Sequence, residues 1–148
     1  MSLVDSLKRV KFDKTRLYMK CIALANLSVT SFSTIPNKYK HTIGDKIVDN
    51  CFELCTIASC VYEEKLPSLK HKHLADILRF SYRVMSYFRV LNELNVISKK
   101  DYTESTTLLI DIMEQAKSWQ ATIQPTMFES SKTLPNLDKL CLGQSLTN

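Results

Sequence analysis

Between residues 40 and 65 the apolar positions Ile43, Ile47, Cys51, Leu54, Cys55, Ala58, Val61 and Tyr62 recur every three or four residues. That spacing places them on one stripe of an α-helix and predicts a core-facing surface. A third stretch, about 68–95, repeats the pattern through Leu74, Ile77, Ser81, Val84, Met85, Phe88 and Leu91. A fourth, about 99–123, carries Tyr102, Leu109, Ile112, Met113, Ala116, Trp119 and Ile123, and a first, about 13–34, carries Leu17, Tyr18, Cys21, Leu24, Ala25, Val29 and Phe32. Each helix would be roughly 33–42 Å long at 1.5 Å per residue. The connections are short enough to make sequential neighbours antiparallel, so the expected fold is all-α, an up-down-up-down four-helix bundle over residues 1–123.

The breaks in the pattern fall where helices are hardest to continue. Pro36 and Pro67 bound the second segment, and Pro125 follows the fourth, because proline is disfavoured in a helix interior and pushes its predecessor out of α geometry. Ser98 followed by Asp101 resembles a capping box with the shorter acid. Only two glycines occur, Gly44 and Gly143, which leaves few positions for the positive-φ turns that β-hairpins favour. From 124 to 148 the period is lost, and a mobile tail is expected there, pinned at most by Leu134, Leu137, Leu140 and Leu142.

Several apolar residues fall away from the stripes: Ile22 and Leu27, Val48 and Phe52, Phe80, Tyr87 and Leu94. A monomeric bundle has no need of them, and self-association into a ring-like oligomer accounts for them. Scattered exposed apolar side chains are the alternative.

Charge changes the picture more than composition does. The chain has 148 residues and a formal net charge of +5, but residues 65–100 hold eight basic and two acidic groups, whereas residues 101–148 hold three and six. On the third helix Lys72, Arg79 and Arg83 project within about 40° of one another, opposite the core stripe. Lys65, Lys70, His71 and His73 extend this strip toward the helix start, and Lys99 and Lys100 mark its other end. Such a strip fits phosphate binding; it also fits a solvated charged face, with Asp76 paired to Arg79 or Arg83. The fourth helix is expected to turn Glu104, Asp111 and Glu114 outward, an acidic flank suited to packing between subunits.

Other classes find little support. The opening residues carry Lys8, Arg9 and Lys11 without a following apolar run, so no signal peptide is expected, nor any segment that would cross a bilayer, and the expected location is cytoplasmic. The five cysteines are odd in number and lack a CxxC pair, against both a disulfide framework and a zinc module. Cys51 and Cys55 share a helix face and read as small buried hydrophobes. His41, His71 and His73 have no Glu-x-x-His partner, and neither a phosphate loop nor a GxSxG elbow occurs. No catalytic residue, metal or cofactor is therefore expected.

The run Ile35-Pro36-Asn37-Lys38-Tyr39-Lys40-His41-Thr42-Ile43-Gly44-Asp45-Lys46-Ile47 resembles the proline–basic–"TxG"–Ile/Leu opening of the accessory variability determinant proteins, partners of reverse transcriptases in diversity-generating retroelements. His73-Leu74 through Leu78-Arg79-Phe80 to Arg83 resembles their "LRxxxRL" helix. Ser98-Lys99-Lys100-Asp101-Tyr102 and Ile112-Met113-Glu114 to Trp119 resemble their later motifs, although Lys117-Ser118 stand where members tend to carry glycines. The resemblance implies a homopentameric bundle with a basic surface that binds reverse transcriptase and RNA or DNA to support mutagenic cDNA synthesis, with Arg79 and Arg83 matching the family's arginine pair. A sister family, the four-helix-bundle proteins of 23S ribosomal RNA intervening sequences, ranks second, since its "SIxxNIAEG" hallmark is missing from Cys51–Glu64. A purely structural oligomeric bundle is the remaining alternative.

Overall fold

The computed structural model describes residues 15–123, which form four principal helices with no strand among them. Helix α1 spans Arg16–Phe32, α2 Asp45–Glu63, α3 Pro67–Glu93 and α4 Lys99–Thr122. The expected tail at 124–148 and the start of the first predicted segment at 13–14 lie outside the described residues.

Local chemistry sets each boundary. Thr15 caps α1, its Oγ1 accepting the Tyr18 N–H at 3.2 Å, and satisfies one of the donors a helix start leaves orphaned. The second helical segment begins before its expected start at residue 40. Pro36 is compatible with the position preceding Asn37–Tyr39, and from there a π-helical turn, Lys40–Gly44, leads into α2. Gly44 is buried in that turn, where a Cβ would meet the Phe32 ring at 2.9 Å. Its value is close approach, since its φ of −58° is open to any residue. Pro67 occupies the first turn of α3, which needs no donor there. Asn95 ends α3 with φ 58°, and Val96 N–H reaches back to the Leu91 carbonyl at 3.1 Å while Asn95 N–H reaches Asn92 at 3.0 Å. This is a Schellman closure, with asparagine in the left-handed position that glycine usually takes. Ser98 then caps α4 by accepting the Asp101 N–H at 3.1 Å. Asp101 does not complete the expected box; its carboxylate accepts the Ser31 hydroxyl of α1 at 3.2 Å.

The helices pack in cyclic order, α1 on α2, α2 on α3, α3 on α4 and α4 on α1. Their inner stripes supply a core in which Leu24, Leu54, Leu74, Ile77, Val84, Leu91, Leu109 and Ile112 are fully excluded from solvent and Phe88 nearly so. Each such side chain contributes about 1.5–3 kcal/mol of burial. Cys21, Cys51 and Cys55 lie in this core. Burial pushes the Cys51 thiol up to about 12 and the Cys55 thiol to about 11, and raises Cys21 as well. These sulfurs stay protonated and act as small packing groups. Ser81, on the inner face of α3, is buried with no hydrogen-bond partner for its hydroxyl.

Two assignments of the periodicity change. Val29 and Tyr62, at the edges of their stripes, are 48% and 39% exposed, because the stripe that meets neighbours is narrower than the apolar arc near the helix ends. Conversely Leu27, off the α1 stripe, is buried, and so is Ile57 of α2. Phe52 and Leu94 are exposed, whereas Phe80 and Tyr87 pack partly against the core. No helix among the described residues is long and apolar enough to cross a membrane.

Candidate nucleic-acid interface

Helix α3 has two unlike faces. Leu74, Ile77, Val84, Phe88 and Leu91 turn inward, so the residues on the opposite side of the helix, Lys72, Arg79 and Arg83, point to solvent. Arg79 keeps 64% of its side-chain surface exposed while its Nη2 bonds Asp76 Oδ1 at 3.1 Å. Arg83 donates from Nη1 to Asn50 Oδ1 of α2 at 3.4 Å, a neutral partner. Both guanidinium groups also rest over the Phe80 ring, 5.5 Å from its centroid for Arg79 and 4.9 Å for Arg83. That contact limits side-chain wandering without neutralising charge. A guanidinium has five N–H donors, and each of these two spends one in the bonds named, so most stay available to phosphate oxygens.

The remaining basic positions divide. Lys65 is exposed in the turn before α3, and Lys99 and Lys100 are exposed at the start of α4. Since α3 has 27 residues, these two groups lie at ends roughly 40 Å apart and do not cluster with one another; the track along α3 itself is the line Lys72, Arg79 and Arg83. Lys70 leaves the track. Its position is about half a turn around the helix from Arg79, and its ammonium sits 5.6 Å from the Trp119 ring centroid on α4. His73 also turns away, with Nε2 3.4 Å from Glu64 Oε2.

Glu64 organises the turn into α3. Its Oε1 accepts the N–H groups of Lys65 and Leu66, each at 3.1 Å. The Leu66 N–H, with help from His73, holds this carboxyl below the ordinary glutamate range.

The α1–α4 seam consumes a carboxylate that was expected to face outward. Asp111 accepts from Gln115 at 3.1 Å and from Arg16 at 3.3 Å, and pairs with Lys20 at 3.4 Å. The Gln115 amide, then the Arg16 charge, hold its carboxyl below the usual aspartate range. Helical spacing on α4 alone could not reveal this, because both cations come from α1, 91 and 95 positions away in sequence. Beside the pair a cleft opens between Leu17 and Trp119, which leaves Trp119 partly exposed instead of fully enclosed.

One residue of the outward α3 face was overlooked by counting charges. Tyr82 is 53% exposed and lies three positions after Arg79. An aromatic residue one turn from an outward arginine is the sequence signal that would have found it. Comparison with known protein families, with curated proteins and with solved structures finds no match to this chain.

Proposed function

We propose that the chain is a non-catalytic nucleic-acid-binding bundle of up-down-up-down topology, which self-associates and serves as the accessory partner of a retroelement reverse transcriptase. The observation that carries the nucleic-acid part is the outward face of α3: Lys72, Arg79 and Arg83 are exposed along one line, with Asp76 as their one acidic contact among the described residues. Phosphate binding needs cations held in place but not neutralised, and Phe80 and Asn50 supply that support. The topology is supported by cross-helix pairs running in opposite chain directions, with Arg16 meeting Asp111 and Ser31 meeting Asp101. Self-association into a closed ring, five subunits by the family resemblance, is supported by exposed Ile22, Val29 and Phe52. The reverse-transcriptase partner comes from the resemblance of Ile35–Trp119 alone.

Two measurements test this. Multi-angle light scattering on the full chain should return a single closed oligomer, and a strict monomer at micromolar concentration would remove the ring. Structured RNA should bind with little sequence preference and with affinity that falls steeply as salt rises. A reverse-transcriptase gene and a template–variable repeat pair are expected beside this gene, and co-purification with that enzyme tests the partner; a gene lying inside a ribosomal RNA operon would point to the sister family.

A further inference from the structure

Where α1 meets α4 a cleft of about 490 Å³ opens, bounded by residues of these two helices, Arg16, Leu17, Glu114 and Trp119 among them. Clefts that take small ligands span roughly 300–1,000 Å³. Three of its groups have capacity that the bundle does not use. Trp119, the chain's one tryptophan, is half-buried; Lys70 reaches its ring from α3 at 5.6 Å, and the cleft lies on the α1 side. Arg16 engages the two Asp111 oxygens through Nη2 at 3.3 and 3.5 Å, which leaves the Nε and Nη1 donors of a side chain that is 72% exposed. Glu114 is exposed and has no hydrogen bond or ion pair among the described residues. Asp111 is already committed to Arg16, Lys20 and Gln115, so it fixes the guanidinium while Glu114 is the acceptor left for a ligand.

A ligand for this cleft must be flat, with donors side by side on one edge for a carboxylate, which only accepts, and acceptors on another for a guanidinium, which only donates. Among the nucleobases guanine meets all three conditions. Its N1–H and N2–H are adjacent and can fill both carboxylate oxygens, and its O6 and N7 are the acceptors that arginine pairs with. Adenine, cytosine and uracil lack two adjacent donor atoms on one edge. We propose that the α1–α4 cleft binds a guanine base, which packs on the Trp119 ring while Glu114 accepts from N1–H and N2–H and Arg16 donates to O6 or N7. The base can come from a free guanine nucleotide or from an unpaired guanosine of an RNA, since splayed-out RNA bases stack on aromatic side chains. No residue of the outward face of α3 takes part, so the cleft stands or falls apart from the phosphate track.

Trp119 serves as its own probe. Because the chain has one tryptophan, a base packed on it is read as quenching of the full chain's emission, excited beyond nucleotide absorption. GMP should quench saturably, and AMP, CMP and UMP should require at least roughly tenfold higher concentration, the loss of a charge-assisted hydrogen bond. An oligo-uridine with one central guanosine, run beside the all-uridine oligomer, separates the two sources. Quenching by GMP marks a nucleotide site, quenching by the guanosine oligomer alone marks an RNA site, and either upholds the guanine pocket. Glu114→Gln should remove the preference for GMP over AMP, with circular dichroism confirming an intact bundle. Equal saturable quenching by all four nucleotides, or a guanine preference that survives Glu114→Gln, overturns the proposal. So does the absence of saturable quenching by both GMP and the guanosine oligomer.

Discussion

The α1–α4 seam and the outward face of α3 are built from the same residue types and use them oppositely. At the seam, Asp111 gathers Arg16 and Lys20 from a helix 91 and 95 positions earlier in the chain, with Gln115 completing its bonds. On α3, Arg79 pairs with an aspartate three residues away and Arg83 with a neutral amide. A contact between helices is spent on holding the bundle together; a contact within one helix is worth a few tenths of a kcal/mol and leaves the cation facing solvent. Charge count alone does not separate the two uses. What separates them is whether an opposite charge on another helix engages the cation: Arg83 reaches α2 but meets only the neutral Asn50 amide, and Arg79 pairs within its own helix.

The largest expected effect breaks both regions at once. Phe88, 1% exposed on the inner face of α3 toward its C-terminal end, anchors the helix on which the outward cations stand, and Phe88→Ala should cost about 3–5 kcal/mol in thermal or denaturant unfolding. An effect below about 1 kcal/mol would mean that α3 is not packed as described.

The seam should respond next. Asp111→Ala removes three contacts at a side chain that is 20% exposed, and a loss of about 1 kcal/mol is expected because its cations remain solvated. The pH dependence sharpens this. Asp111 and Glu64 both titrate below the usual carboxylate range when folded, so the unfolded chain takes up protons first as pH falls. Their contribution is full above roughly pH 4, near the unfolded values, and fades as the pH drops through the depressed folded values. Asp111→Asn should therefore flatten the fall in Tm on the acid side and leave the neutral-to-alkaline side unchanged. An identical acid limb in the variant would remove Asp111 from that role.

A smaller effect of opposite sign is expected on the inner face of α3. The Ser81 hydroxyl is buried without a partner, so Ser81→Ala should stabilise the chain by about 0.5–1 kcal/mol, since an unpaired buried polar group costs more than its removal. A destabilised variant would show that the hydroxyl is bonded in solution.

The helices were legible because their determinants are local: the stripes, Pro67 and the Ser98 cap need no knowledge of the neighbours. The earlier start at Asn37 was not, because the π-helical turn that leads into α2 sets Gly44 close to the Phe32 ring, a contact between two segments. In the candidate site, Lys72, Arg79 and Arg83 followed from helical angle alone. Lys70 did not, since its place on Trp119 depends on α4, and Asp111 failed for the same reason at the seam. Tyr82 was visible in the sequence but invisible to a count of charges. Period and angle assign a face; only the packed neighbours decide which charges on it are already engaged.

The central claim is that the α3 cations are free to meet phosphate, and the salt dependence of RNA binding by Arg79→Ala/Arg83→Ala tests it most directly. Each phosphate contact contributes a slope of roughly 0.7–0.9 in log K against log salt, so the double variant should flatten the slope by about one to two units per subunit engaged. Stability should move by no more than about 0.5 kcal/mol, and light scattering should return the parent's assembly. An unchanged slope together with a collapsed oligomer would contradict the account and leave the outward face of α3 as an assembly surface.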